Sequence, residues 1–168
     1  LYVDSDSDLY YAKIAALSTS DDKKIASDVD YMKLSENGSY LYYMKDCSDN
    51  IYPPNSGTLY CYKVGEDESK KVGSDVGCFY TLYGHFQIGM DGSTVYYLKD
   101  IETIADVYFS YGTLYSWTYS EGESVKISSD VMERSLSSAL LSGVINSKGF
   151  TYQKYSSIDS DQNIHVDL

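Results

Sequence analysis

The stretch D-G-S-T-V-Y-Y-L-K-D at residues 91–100 decides the fold, because residues 37–46 repeat it as N-G-S-Y-L-Y-Y-M-K-D. Each copy begins with Asp-Gly or Asn-Gly, a strong signal for a hairpin turn, and continues with strand-forming residues. The segment G-T-L-Y follows each copy, at 57–60 and at 112–115. A further segment, Ser-Asp-Val, occurs at 27–29, 74–76 and 129–131. The chain is therefore predicted to be a tandem array of units built from short antiparallel strands.

The composition also favours an all-β fold. The 168 residues include 20 Tyr, 4 Phe and 1 Trp, together with many Val, Ile, Thr and Ser residues that suit strands. Tyr fits a half-buried sheet because its ring packs inward while its hydroxyl reaches water or a polar neighbour. A chain of this length can bury one sizeable core, so a second domain is not expected.

The repeat spacing predicts the architecture. A period of roughly 40–55 residues with several short strands in each unit is typical of a β-propeller blade. We predict an all-β propeller arc of about three and a half four-stranded antiparallel blades, as part of a larger ring. The predicted blades of this single domain are 1–29, 30–76, 77–131 and 132–168. An open arc exposes strand edges, which predicts masking by partners or self-association through those edges.

The charge of the chain excludes some partners. The formal net charge is −12 and Arg134 is the only arginine, so phosphate backbones would be repelled and no nucleic-acid partner is expected. No stretch reaches the length of a membrane span, so no direct membrane insertion is expected in this segment. The chain begins at Leu1 in the middle of a predicted strand, without an initiator Met, and we expect a fragment of a longer protein.

The three cysteines do not have the spacing of a zinc site or a disulfide framework. Cys61 lies within a strand pattern and is predicted to fill apolar space. One pair among Cys47, Cys61 and Cys78 could still be oxidised, so the redox compartment stays open.

The repeated phrases resemble the blades of TolB-like bacterial propellers. The resemblance rests on D-G-S-x-[V/L]-Y-Y-x-K-D, on G-T-L-Y and on K-K-[I/V]-x-S-D-V, and it covers nearly the whole chain. It points most strongly to an uncharacterised extracytoplasmic group from Gram-positive bacteria, in which such propellers often follow a membrane anchor. The resemblance therefore implies an extracellular or cell-surface location in a bacterium and a ring of six or so blades. These motifs specify blades and carry no catalytic residue.

A recognition surface is predicted on one face of the array. The connections between the second and third strands of blades two and three, 47–56 and 101–111, are long and aromatic. Long aromatic loops on a rigid scaffold are common recognition surfaces. The predicted binding residues are Tyr52, Tyr108, Phe109 and Tyr111. The alternative is that these aromatic residues only cover the edges of the core.

Calcium is the one cofactor that the sequence suggests. Residues 4–8 and 159–163 alternate oxygen-bearing side chains, which can converge on a hard cation. The candidate ligands are Asp4, Asp6, Asp8, Asp159, Asp161 and Asn163. Both stretches lack the Gly and the distal Glu of an EF-hand loop, and Asp and Ser also favour hairpin turns, so turn formation is the alternative.

No catalytic motif of the G-x-S-x-G or H-E-x-x-H type and no glycine-rich phosphate loop occurs, so the protein is predicted not to be an enzyme. The predicted function is a non-catalytic extracytoplasmic propeller that binds a protein, a peptide or a glycan through its aromatic loops. One alternative is a propeller of, or accessory to, a glycosidase or peptidase, which would require acidic residues such as Asp30 and Glu133 to converge. The other alternative is a structural spacer in a larger surface protein.

Overall fold

A computed structural model describes residues 2–11, 23–47, 55–78, 86–104, 109–133, 152–158 and 164–167. These residues form thirteen strands and no α-helix, and every strand pair among them is antiparallel. The predicted all-β antiparallel fold is therefore confirmed. In the same residues, no helix has the length and apolar character that a membrane crossing requires.

The strands fall into four consecutive units. Unit one contains β1 (Tyr2–Val3), β2 (Leu9–Tyr11) and β3 (Lys23–Ala26). Unit two contains β4 (Val29–Leu34), β5 (Tyr40–Lys45), β6 (Asn55–Lys63) and β7 (Ser69–Cys78). Unit three contains β8 (Phe86–Ile88), β9 (Thr94–Ile104), β10 (Phe109–Thr118) and β11 (Ser124–Met132). Unit four contains β12 (Lys154–Ile158) and β13 (Ile164–Asp167).

Units two and three are four-stranded meanders, in which each strand pairs with the next one along the chain. The turn between the first two strands is formed by Asn37-Gly38 in unit two and by Asp91-Gly92 in unit three, and both glycines have positive φ. The predicted 101–111 loop is wrong in its bounds, because β9 extends to Ile104 and β10 begins at Phe109. The predicted 47–56 loop is likewise shortened by β6, which begins at Asn55.

The three Ser-Asp-Val segments make the same strand pairing, which connects unit two to unit three and unit three to unit four and, at Val29, lies within unit two. The valines pair with lysines of β5, β9 and β12, as Val29 with Lys45, Val76 with Lys99 and Val131 with Lys154. The preceding aspartates have φ of 54° at Asp28, 58° at Asp75 and 60° at Asp130. Asp is among the few residue types that adopt this left-handed conformation readily, so it redirects the chain at each junction. The pairing runs without interruption from β4 to β13 through β5, β6, β7, β9, β10, β11 and β12.

The core consists of clusters that lie between successive units. Successive side chains of a strand point to opposite faces, so β5 directs Leu41 and Tyr43 towards unit one and Tyr42 and Met44 towards unit three. The cluster between units one and two contains Leu9, Val29, Leu41, Tyr43 and Tyr62. The cluster between units two and three includes Leu59, Cys61, Val72, Val76, Phe86, Val95, Tyr97 and Trp117. The cluster beyond unit three contains Leu98, Leu114 and Val131, with Tyr152 packed against it.

Both G-T-L-Y segments contain an irregularity in strand register immediately after the glycine. A Cβ atom at Gly57 would lie 2.5 Å from the carbonyl oxygen of Lys45, and one at Gly112 would lie 2.6 Å from that of Lys99. Real Cβ atoms do not approach backbone so closely, so the glycines are required by this close contact between strands.

Cys47 and Cys78 form a disulfide that connects the chain two residues after β5 to the last residue of β7. Both sulfur atoms lie 2.9 Å from the position that a Cβ at Gly57 would take, so the bond is packed against the glycine. Cys61 of β6 is a free thiol, and its place in the cluster between units two and three confirms the prediction that it fills apolar space. Burial raises its pKa to about 12.

Candidate functional site

The candidate site is built on an extension of the β9–β10 hairpin. Beyond the pair of Lys99 with Thr113, the two strands continue to pair through Glu102 with Tyr111, Thr103 with Ser110, and Ile104 with Phe109. The hydroxyl oxygens of Thr103 and Ser110 lie 3.1 Å apart and connect the strands a second time. We call residues 101–104 and 109–112 the hairpin extension. Because it is paired β-structure, it presents its side chains in a defined register.

Tyr111 occupies the centre of this site. Its hydroxyl donates a hydrogen bond to the carboxylate of Glu102, and its ring stacks on Tyr155 of unit four, with centroids 4.6 Å apart and planes inclined by 20°. The hydrogen bond to Glu102 is the main reason why the pKa of Tyr111 rises to about 12, followed by burial. Tyr111 and Tyr155 are half-buried, whereas Glu102 is exposed.

The predicted binding residues are only partly described. Tyr111 lies in the hairpin extension, and Phe109 lies in β10 opposite Ile104. Tyr52 and Tyr108 lie outside the described residues. Sequence reasoning missed Glu102 and Tyr155, the two residues that the structure brings to Tyr111. The alternation of I-E-T-I at 101–104 was the only local signal for Glu102, and no local signal relates Tyr155 to Tyr111.

The acidic stretch at residues 4–8 forms a turn between β1 and β2. Asp4 Oδ1 accepts hydrogen bonds from the backbone N–H groups of Asp6 and Asp8, both at 3.0 Å. The carboxylate of Asp8 forms an ion pair with Lys24. The described residues contain no group of three or more His, Cys, Asp or Glu side chains that could hold a metal ion. Asp159, Asp161 and Asn163 lie outside the described residues, so calcium binding stays a prediction.

The two acidic residues considered for a hydrolase have separate surroundings. The Asp30 carboxylate accepts a hydrogen bond from the backbone N–H of Cys47 at 2.8 Å and is exposed. Glu133 directly follows β11 and is buried. Asp30 therefore stabilises the backbone at Cys47, beside the disulfide.

A second tyrosine–glutamate pair lies between units two and three. The hydroxyl of Tyr119 donates a hydrogen bond to Glu66, and the ring of Tyr40 lies against Tyr119 with centroids 5.3 Å apart. The Nζ atom of Lys70 lies 3.8 Å from the centroid of the Tyr119 ring, and Lys63 Nζ lies 5.5 Å from it. Lys63 also donates to Glu66 at 2.8 Å and, with Tyr119, holds the pKa of Glu66 below its usual value.

Lysine–tyrosine contact recurs in the described residues. In addition to the two lysines at Tyr119, Lys23 lies 5.8 Å above the ring of Tyr62 and Lys99 lies 5.7 Å above the ring of Tyr115. The face of an aromatic ring carries negative potential and attracts an ammonium group. Tyrosine rings of this chain therefore already bind the ammonium groups of its own lysines.

Comparison with known proteins finds no protein family and no curated protein that matches the chain in sequence.

Proposed function

We propose that the chain is a non-catalytic segment of a TolB-like bacterial propeller, and that it binds a protein, peptide or glycan at the hairpin extension. In this proposal units one to four are successive blades. The recurring valine–lysine junctions and the apolar clusters between the units support it, because blades of one propeller pack face to face on their neighbours in an equivalent manner.

The observation that carries the binding proposal is the stacked pair of Tyr111 and Tyr155 beside the exposed Glu102. Two stacked rings supplied by different units give an aromatic surface at their outer sides, and a carboxylate beside them gives a hydrogen-bond acceptor for a ligand. Aromatic rings with a few placed polar groups are common in both carbohydrate and peptide sites. Pairing within the hairpin extension holds these groups in place before a ligand arrives, which reduces the entropic cost of binding.

The disulfide supports an extracytoplasmic location. Disulfides persist in oxidising compartments, whereas cytosolic thiols are kept reduced. The bond between Cys47 and Cys78 is packed against Gly57 and borders the cluster between units two and three. We therefore propose that the protein works outside the bacterial cytoplasm, at the cell surface.

An array experiment tests this function. The chain, purified in its oxidised form, is applied to glycan and peptide arrays beside a variant that carries Tyr111→Ala and Tyr155→Ala. The proposal expects a set of ligands that the wild-type chain retains and the variant does not. Tyr10→Ala, which alters a half-buried Tyr of unit one, is the matched control and should retain them. Equal binding by all three proteins, or no binding by any, would contradict the proposal.

The structural spacer is the second candidate, and the disulfide together with the uninterrupted strand pairing favours it. A chain that is cross-linked and paired in this way would hold the domains on either side of it at a fixed separation. Solution scattering on the intact parent protein distinguishes it, because a spacer holds its neighbours at one separation whether or not an array ligand is present.

A further inference from the structure

The pair of Tyr119 and Glu66 shows how this chain accommodates an ammonium group. The glutamate accepts the tyrosine hydroxyl and a lysine Nζ, while a second lysine lies on the ring face. Tyr119 is buried, with 7% of its surface exposed. The two ammonium groups that contact the pair belong to Lys63 and Lys70 of the same chain. This arrangement combines a carboxylate and an aromatic face around one kind of cation.

The hairpin extension repeats the chemistry of that pair at the surface. The hydroxyl of Tyr111 donates to the carboxylate of Glu102, and a second tyrosine ring lies against the first, as Tyr40 lies against Tyr119. Glu102 is exposed, so a group from outside can reach its carboxylate. Asp130 is a further exposed carboxylate whose charge acts on Tyr111.

We propose that Tyr111, Tyr155 and Glu102 bind the ammonium group of a lysine side chain in a cationic peptide. The proposal rests on the function proposed above and narrows its ligand to one chemical class. The net charge of −12 favours it, because the field of an acidic protein attracts cations and repels anionic ligands. A neutral sugar can stack on the same rings and donate its hydroxyls to Glu102, but it gains nothing from the negative field of the protein.

The experiment compares two forms of one probe. The peptide Gly-Lys-Gly-Lys-Gly-amide, labelled on its N-terminal amine with an uncharged dye, is titrated with the oxidised chain and followed by fluorescence anisotropy. The same peptide with both lysines acetylated keeps its length and loses its charge. We expect the lysine peptide to bind, the acetylated peptide to bind at least about tenfold more weakly, and added salt to weaken the first interaction.

Variants separate the site from the overall charge. Glu102→Gln removes the carboxylate and should weaken lysine-peptide binding about fivefold to tenfold. Glu68→Gln makes the same change of net charge at an exposed residue of the β6–β7 turn and should weaken it less than about twofold. Tyr111→Phe retains the ring but releases Glu102, so an intermediate loss is expected. Melting temperatures within a degree or two of wild type, typical of exposed substitutions, would exclude loss of folding.

Each outcome decides the proposal. Equal binding of the acetylated peptide, or equal losses in Glu102→Gln and Glu68→Gln, would overturn it. If the arrays reveal neutral glycans that require Tyr111 and Tyr155 while the lysine peptide does not bind, the proposed function holds and the lysine ligand is wrong. If the arrays reveal no ligand that depends on these tyrosines, the proposed function fails as well.

Discussion

Units two and three repeat the same sequence phrases but complete the same connection in different ways. In unit two, β5 ends at Lys45 and the chain is held two residues later by the Cys47–Cys78 disulfide. In unit three, β9 continues to Ile104 and the connection is held by strand pairing. The repeated residues therefore determine the register irregularity in G-T-L-Y and the valine–lysine pairing. The connection between the second and third strands is not repeated, and it forms a disulfide in unit two and an extended hairpin in unit three.

The residues that take the place of the disulfide make this difference concrete. Ile101 occupies in unit three the position of Cys47, and its Cδ1 atom lies 2.8 Å from the position that a Cβ at Gly112 would take. Glu133 occupies the position of Cys78 relative to the Ser-Asp-Val segment. One unit therefore closes over its glycine with a covalent bond and the other with an isoleucine methyl group.

The largest expected effect comes from removing the covalent bond. A variant with Cys47→Ala and Cys78→Ala should lose about 3.5 kcal/mol of unfolding free energy, because the bond closes a loop between residues 31 apart and restricts the unfolded chain. Urea denaturation of the variant and of wild type under oxidising conditions measures the loss. Adding a reductant should lower the stability of wild type by a similar amount and leave the variant unchanged. If the reductant leaves the urea denaturation midpoint of wild type unchanged, the folded protein does not depend on this disulfide.

The glycines should differ in their tolerance of a methyl group. Gly57→Ala should cost about 2.5 kcal/mol and Gly112→Ala about 1.5 kcal/mol, since overpacking is worse against fixed sulfur atoms than against the end of a flexible isoleucine. Urea denaturation measures both, with Ser120→Ala at an exposed turn as the control. Equal costs at the two glycines would show that the shared contact with the lysine carbonyl oxygen dominates.

The first turns of the two units should differ in their pH dependence. Asp91 in unit three accepts hydrogen bonds from the Ser93 hydroxyl at 2.6 Å and from the backbone N–H of Thr94 at 3.1 Å. Burial acts to raise the pKa of Asp91, but these hydrogen bonds outweigh it, so the pKa lies below its usual value. A lowered pKa in the folded state stabilises the protein above the unfolded-state pKa, and this stability is lost as the pH falls through the folded-state value.

Asp91→Asn should therefore destabilise the protein near neutral pH, and the difference from wild type should shrink below about pH 4. Thermal denaturation between neutral and acid pH measures this difference. Asn37, the counterpart of Asp91 in unit two, cannot titrate and instead donates from its amide to the Asp91 carbonyl oxygen at 3.0 Å. Glu36→Gln, which removes one exposed charge from the neighbouring turn, is the control. A constant difference at every pH would rule out the carboxylate as its source.

The smallest expected effect on stability concerns the last strand of each unit, β7 in unit two and β11 in unit three. Val72 of β7 is 6% exposed because unit three covers it, whereas Ile127, its counterpart in β11, is 40% exposed, with Val125 54% exposed beside it. Lysine is a common protection for strands that could pair with another chain, and unit two carries Lys70 where unit three carries Val125. Val125→Lys should change the unfolding free energy by less than about 0.5 kcal/mol.

The same substitution should reduce self-association at high protein concentration, measured by light scattering after gel filtration. Ser120→Lys adds the same charge at the β10–β11 turn and should leave association unchanged. A mass for wild type that does not rise with concentration would show that this strand does not mediate contact between copies.

Much of the fold could be predicted because its signals are local. Asn37-Gly38 and Asp91-Gly92 predicted the hairpin turns, and the alternation after them predicted β5 and β9. The extension of β9 was missed because I-E-T-I-A-D-V-Y-F-S-Y, at residues 101–111, contains no turn dipeptide that would mark where the strand reverses. For the candidate site, the sequence pointed to Tyr111, but its partners depend on strand register and on packing between units.

The amino-acid sequence by itself determined that the chain is built from antiparallel hairpins, where they turn, and that they repeat. Turn chemistry and side-chain alternation act over a few residues, so they can be read without knowledge of the rest of the molecule. Only the tertiary structure decided that Cys47 bonds to Cys78 rather than to Cys61, and that Tyr155 stacks on Tyr111. Both contacts join residues far apart in the chain. The first depends on how the strands of unit two lie against one another, and the second on how unit four packs against unit three.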